Sequence, residues 1–202
     1  MRITELSRLL VIMPGRFQPW HIGHRTAYIN LCKSFRASPV YIATSNKVEY
    51  PKSPLSFSQK AYLMGLTGID LDKVVETEQP YRATEITSNF DSRKTVLVYA
   101  VSEKDMGIDP RFSFEPLKDG TPNYFQPFDP HLDMKPFGEH AYIYVMPTVE
   151  FSVLGEPMSS ASEIRDMYLN ANVNQRMRII ANLYGKFDKS AFEILNNGIC
   201  HE

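Results

Sequence analysis

The sequence predicts an α/β fold built on a doubly wound parallel sheet, and three observations predict it. Short apolar runs alternate with stretches of helical periodicity, which is how strands and covering helices follow one another. Residues 95–101, Thr-Val-Leu-Val-Tyr-Ala-Val, read as a central strand, because a strand covered on both faces is continuously apolar. The 202 residues, with 43% hydrophobic and 22% charged side chains, suffice for one domain with a sizeable core.

The elements follow in order. Residues 8–13, Arg-Leu-Leu-Val-Ile-Met, form a buried strand that Pro14 and Gly15 end. From about residue 24 to 35, Ala27, Tyr28, Leu31, Cys32 and Phe35 recur at helical spacing. Residues 39–43 are a second strand, and the polar, proline-bearing residues 44–55 a loop. Ser56-Phe-Ser-Gln59 has the spacing of a capping box, so a helix starts there and runs to about residue 66, with Gly65 and Gly68 at its end. A short strand at 74–75, a short helix within 84–90 and strands at 95–101 and 141–146 complete the alternation. From residue 162 onward the chain reads as helices. One is centred on 175–183, and another runs from Asp188 as N-cap to Asn197, with Gly198 just past its end. The basic stretch Gln175-Arg-Met-Arg178 reads as a solvated helix face.

Residues 106–140 break the rhythm. They hold six of the 14 prolines together with Phe112, Phe114, Tyr124, Phe125, Phe128 and Phe137. So long an aromatic and Pro-rich insertion is either a packed excursion with its own small core or a substrate lid. The whole, residues 1–202, reads as a single domain.

Charge and cysteine content narrow the partners. Twenty-two basic and 23 acidic residues leave a formal net charge of −1, which argues against a general nucleic-acid coat. Cys32 and Cys200 make neither a disulfide framework nor a zinc site, and read as free thiols in a reducing compartment. The N-terminus lacks the apolar core of a signal peptide, and no apolar run is long enough to span a bilayer. A soluble cytoplasmic protein with no membrane partner is therefore expected. A homo-oligomer is compatible with the sequence.

The chemistry concentrates in Pro14-Gly-Arg-Phe-Gln-Pro-Trp-His-Ile-Gly-His24, between the first strand and the first helix. Ligands of open α/β sheets bind at the carboxyl ends of strands, and a helix N-terminus there offers free N–H groups and a positive dipole end to phosphate. Gly15 lets the backbone turn and approach a ligand. His21 and His24, three apart, can face one side of a first helical turn, with Gly23 leaving room between them. Two imidazoles beside a phosphate chain can donate hydrogen bonds to oxygens that gain charge in a transition state. The spacing alone also fits a metal pair or a core histidine with a satisfied hydrogen bond. No third Cys, His, Asp or Glu stands nearby in the sequence, so no metal ligands are assigned.

The string Gly15-Arg-Phe-Gln-Pro-Trp-His-Ile-Gly-His24 closely resembles the Gly-Arg-Phe-Gln-Pro-x-His-x-Gly-His motif of nicotinamide mononucleotide adenylyltransferases of the archaeal and bifunctional bacterial types. Its His-x-Gly-His core is shared by the wider HIGH-motif, cytidylyltransferase-like nucleotidyltransferase superfamily. Ser160-Ala-Ser-Glu-Ile-Arg165 resembles that superfamily's second motif, Ser-Ser/Gly-Thr-x-Ile-Arg, which opens a helix and clamps the β- and γ-phosphates. Ala161 and Ser162 depart from it, but both are small and Ser162 keeps the hydroxyl. Residues 95–105 are similar to the family's strand and nucleotide-contacting loop, with Ser102, Glu103, Lys104 and Asp105 in the loop. Lys104-Asp-Met-Gly107 and the aromatic insertion also look like nucleotidyltransferases encoded by bacterial viruses, which would place the chain in a host cytoplasm.

The resemblance implies a Rossmann-like domain with C-terminal helices that transfers a nucleoside monophosphate from a triphosphate to a phosphorylated acceptor and releases pyrophosphate. It implies that His21, His24 and Arg165 are catalytic, and that Gly15, Arg16, Phe17, Gln18, Gly23, Ser160, Ser162 and Asp105 bind nucleotide, with Mg²⁺ bridging phosphates. ATP and nicotinamide mononucleotide, giving NAD, are the substrates implied by the full Gly15–Gln18 match. Cytidylyl transfer to a phosphorylated sugar or alcohol is the alternative reaction, and a non-catalytic nucleotide-sensing module the alternative of another kind. Class I aminoacyl-tRNA synthetases also carry His-x-Gly-His, but this chain has no Lys-Met-Ser-Lys-Ser string. Arg165 could instead be a surface arginine pairing with Asp166 or Glu163, Arg16 a structural salt-bridge partner, Asp105 a solvated charge, and Trp20 could be core or line the nucleotide site.

Overall fold

Strand β1 (Arg8–Pro14) lies in the middle of a parallel sheet, between β2 (Val40–Thr44) and β4 (Thr95–Ser102). The computed structural model describes residues 8–107 and 110–200. Beyond β2 lies β3 (Val74–Glu76), and beyond β4 lie β6 (Ala141–Met146) and then β5 (Phe125–Pro127), giving the order β3-β2-β1-β4-β6-β5. All the pairings in this sheet are parallel. The chain winds outward from β1 through β2 to β3, then returns to β4 and winds the other way. That reversal leaves a crevice at the carboxyl ends of β1 and β4, where α/β sheets bind ligands.

The two-residue side-chain period of the strands separates two cores. Val11, Met13, Val96, Val98 and Ala100 face one side, with residues of α1 (Ile22–Ser34), α2 (Phe57–Leu66), α4 (Ala161–Asn170), α5 (Val173–Tyr184) and α6 (Lys189–Leu195). Leu10, Ile12, Leu97, Tyr99 and Val101 face the other, which α3 (Thr84–Thr87) covers with Ile86. Much of this second face is covered by the insertion. Phe112 is buried against Phe125, ring centroids 4.8 Å apart, and Phe125 and Phe137 pack on the same cluster. Phe137 also donates its N–H to the Thr95 carbonyl. The insertion therefore takes the packed form, doing the work of a covering helix and supplying the edge strand β5. Among the described residues no helix is long and apolar enough to cross a membrane.

The capping box at α2 forms as its sequence predicts. Ser56 Oγ accepts from the Gln59 N–H at 3.4 Å, and Gln59 Oε1 accepts from the Ser56 N–H at 2.8 Å. Helix α1 starts two residues earlier than its apolar periodicity suggests, with His21 at the N-cap. The hairpin β7 (Phe151–Val153) and β8 (Glu156–Met158) has no counterpart in the sequence reading. Three-residue strands are too short to show a period.

Gly198 corrects an expectation. It does not end α6 in a left-handed conformation; residues 196–200 continue as a π-helical turn. The glycine is needed for proximity instead, since a Cβ there would lie 2.5 Å from Leu55 Cδ2, on a side chain with no exposed surface. Gly198→Ala is expected to lower the free energy of unfolding by about 1–3 kcal/mol, the usual cost of overpacking a tight core. An unchanged urea midpoint would show instead that Leu55 yields freely.

Candidate active site

The carboxyl ends of β1, β4 and β6 open onto a cavity of about 410 Å³, bounded also by the first turns of α1 and α4. Gly15, Arg16, Phe17, Gln18, His21, Gly23, His24, Asp105, Ser160, Ser162 and Arg165 all line it. These residues of the two motifs and the intervening loop thus meet in one place, although the motifs are more than a hundred residues apart; Glu103 of the loop does not line the cavity.

The loop after β1 is shaped by its own packing. Phe17 holds a left-handed backbone, φ 49°, with its ring buried, a conformation that costs a non-glycine residue roughly 1–2 kcal/mol. The ring folds back over Gly15, where a Cβ would stand 2.6 Å from Phe17 Cζ. Gly15 is therefore fixed by its neighbour, not only by a ligand's approach. Gln18 departs from its expected role in a similar way. Its buried side chain donates from Nε2 to the Leu55 carbonyl at 2.9 Å and accepts from the Leu55 N–H at 2.8 Å. The amide tethers the 44–55 loop.

Arg165 joins the two motifs. One guanidinium nitrogen donates to the Gln18 carbonyl and the other to Ser162 Oγ at 3.1 Å. It makes no ion pair with Asp166 or Glu163 among the described residues, so the surface-pair alternative fails. At the start of α4, Glu163 accepts from the Ser159 and Ser160 N–H groups at 2.7 and 3.0 Å, and Ser160 Oγ accepts from the Glu163 N–H. This reciprocal cap leaves the next N–H groups, of Ala161 and Ser162, pointing out of the helix end.

His21 is buried, and His24 is half-buried with its Nδ1 sealed. Among the described residues, His21, which is 3% exposed, has no hydrogen-bond partner at either ring nitrogen, and Nδ1 of His24 is likewise unpartnered. Burial, and then the nearby His24, hold the His21 pKa well below its ordinary value, and burial pushes His24 down to about 3. Both imidazoles are neutral near pH 7, each with one N–H donor and one acceptor nitrogen. Trp20 is core: it has no exposed surface, donates from Nε1 to Thr67 Oγ1 at 2.9 Å, and stacks beneath His24 without lining the cavity.

The cavity wall is cationic. Arg16, Lys52, Lys104 and Arg165 face Asp105 as the sole acidic lining residue among those described. Arg16 is exposed and makes no ion pair among the described residues, so the structural-partner alternative fails for it as well. Asp105 is already engaged. Oδ1 accepts from the Tyr81 hydroxyl at 3.0 Å and Arg111 Nε at 3.2 Å, and Oδ2 accepts from Ser102 Oγ at 2.7 Å and its N–H at 3.2 Å. It builds the wall and anchors the insertion through Arg111, rather than standing free as a solvated charge.

Sequence reasoning missed Lys52, Tyr81 and Thr148, which also line the cavity. They follow β2, β3 and β6 in the chain, and only the rule that strand carboxyl ends carry function could have flagged them. It also missed Lys60. This fully buried ammonium donates to Thr44 Oγ1 at 2.7 Å and to the Ser45 carbonyl, and burial lowers its pKa to about 8 against the opposing pull of Glu76. It pins the end of β2 beside the motif loop.

No family model matches the chain, and no curated protein matches it. Solved structures do. A bifunctional NMN adenylyltransferase/ADP ribose pyrophosphatase from Francisella tularensis, complexed with AMP and Mn ion, superposes with a TM-score of 0.51 at 19% identity, over 94% of this chain and 48% of the other. The fold is shared. The chain spans about half the length of that protein. Nicotinic acid mononucleotide adenylyltransferase from Plasmodium falciparum, complexed with APC, matches with a TM-score of 0.45 at 8% identity, over 85% of this chain and 89% of the other.

Proposed function

We propose that the chain is a nucleotidyltransferase that transfers AMP from ATP to nicotinamide mononucleotide and releases pyrophosphate. The observation that carries this reading is the convergence of both motifs on one cationic cavity lined by His21 and His24, with both His21 ring nitrogens and His24 Nδ1 without a hydrogen-bond partner among the described residues. The fold shared with an adenylyltransferase whose structure contains AMP is consistent with it. In this reading an acceptor phosphate oxygen attacks the α-phosphorus in line, and the bond from that phosphorus to the oxygen of the leaving pyrophosphate breaks. The acceptor is already an anion near neutral pH, so no general base is needed, and catalysis is positioning and charge stabilisation. His21 and His24 donate N–H hydrogen bonds to the phosphate oxygens. Arg165, Ser162 and the free N–H groups at the start of α4 hold the departing pyrophosphate, and Arg16 and the α1 N-terminus hold the α-phosphate.

Among the described residues no cluster of His, Cys, Asp or Glu could hold a metal ion, and both Asp105 oxygens are engaged. Mg²⁺ would enter with the triphosphate and supply charge neutralisation there, with no described side chain assigned as its ligand. The deciding assay measures pyrophosphate release with ATP and CTP against nicotinamide mononucleotide and a panel of phosphorylated sugars and alcohols. Turnover with ATP and nicotinamide mononucleotide is expected. Turnover with CTP alone would refute adenylyl transfer, and nucleotide binding without pyrophosphate from any acceptor would make the chain a binding module.

A further inference from the structure

An imidazole that must present one nitrogen to a ligand is commonly held by a hydrogen bond at the other. His21 has none. What holds it is a column of rings. Phe151 stacks on His21 at 4.7 Å and 23°, His21 on His24 at 3.6 Å and 32°, and His24 on Trp20 at 5.3 Å and 29°. Trp20 is fixed by its bond to Thr67 and by the Tyr184 hydroxyl, which donates to the Trp20 carbonyl at 3.0 Å. Phe151, at the other end, opens β7 and occupies the space that Gly23 leaves vacant, since a Cβ on Gly23 would lie 2.8 Å from its ring. The hairpin carrying Phe151 is anchored in turn. Val153 is fully buried, the Leu154 N–H donates to Asn182 Oδ1 at 2.9 Å, and β8 runs directly into Ser159 and Ser160.

We propose that Phe151 is a positioning residue for the phosphate-transfer site: its ring clamps the His21 imidazole against His24 and so fixes the angle at which His21 meets a phosphate oxygen. Phe151 does not line the cavity, so it acts through His21. The β7–β8 hairpin thereby ties the geometry of the first motif to the position of the second. This inference rests on the function proposed above.

The test compares Phe151→Leu, which keeps apolar bulk but removes the flat face, with Phe151→Tyr, which keeps the ring. Val153→Ala serves as the control for a merely destabilised hairpin. Phe151→Leu is expected to lower kcat for pyrophosphate release by ~10²-fold, the scale of a misplacement of about 1 Å at a reacting centre, with KM for the triphosphate little changed. Phe151→Tyr should restore kcat, and Val153→Ala should lower Tm while keeping kcat. Nuclear Overhauser contacts between the His21 and His24 rings, measured on the nucleotide-free protein, should vanish in Phe151→Leu and persist in Phe151→Tyr. A Phe151→Leu protein that loses Tm as Val153→Ala does, yet keeps kcat and the ring contacts, overturns the proposal. If the wild type releases no pyrophosphate, the function fails on its own and the ring contacts alone decide the clamp. If Phe151→Leu does not fold, Phe151→Met takes its place in the same comparison.

Discussion

Replacing His24 by alanine is expected to cut kcat for pyrophosphate release by ~10²–10³-fold, about 3–4 kcal/mol of transition-state stabilisation, the usual cost of one preorganised donor. The magnitude follows from the state of the ring. Burial keeps His24 neutral at neutral pH, its Nδ1 is already desolvated and unpartnered, and packing against Phe17, Trp20 and His21 holds it in place. The donor therefore pays little for reorganisation when charge develops on the phosphate. Binding of the ground-state triphosphate is shared with Arg16, Lys52, Lys104 and Arg165, so the loss should fall mainly on kcat and less on KM. His24→Asn, which keeps an N–H donor, should recover part of the rate. The pair His21→Ala and His24→Ala should lose less together than the sum of their separate losses, because rings 3.6 Å apart are not independent sites. Alanine also leaves a void beside Trp20, so each rate is to be measured well below the variant's own Tm. A His24→Ala protein with nearly wild-type kcat would remove His24 from the chemistry.

Much of this site was legible because its parts sit where sequence signals are strongest. Apolar runs marked β1, β4 and β6, the capping box marked α2, and each motif sits at a strand-to-helix transition. What was illegible depends on contacts distant in sequence. Gln18 looks like a ligand residue in its motif, yet Leu55, 37 positions away, takes its amide. Gly198 looks like a helix stop until Leu55 is found against it. Lys60 carries no local signal of its role, which appears only where the end of β2 meets its ammonium. Phe151 and β7 gave no periodic signal at all, and Asp105 acquires its partners Tyr81 and Arg111 only when the insertion packs. Local pattern specifies elements, and the partner of a polar side chain is a property of topology.

The same buried imidazoles predict a steep acid sensitivity that a triphosphate should relieve. His24 has its folded pKa lowered to about 3 by burial, and His21 is lowered well below its ordinary value by burial and by His24. In the unfolded chain each titrates near the ordinary histidine value of about 6.5. Below that value the unfolded chain binds protons that the folded protein refuses, so the free energy of unfolding is at full strength above about pH 6.5 and falls as the pH drops toward about 3. Between pH 7 and pH 5 the loss is about 2 kcal/mol for His24, against a typical total of 5–15, and His21 adds to it in the same direction. The His24 share alone corresponds to a fall in Tm of roughly 4–8 °C for a chain of this length. The contribution is isolated by comparison with a His21→Asn, His24→Asn variant, whose Tm should vary less over the same range. Bound triphosphate reverses the local electrostatics: its negative oxygens favour charged imidazoles and raise both pKa values. Saturating ATP should then flatten the Tm–pH curve and make binding take up protons, which calorimetry in buffers of different ionisation enthalpy can count. Equal pH dependence in the wild type and the Asn pair would mean that these rings are not the titrating groups. A curve as steep with ATP as without it would place the triphosphate away from them.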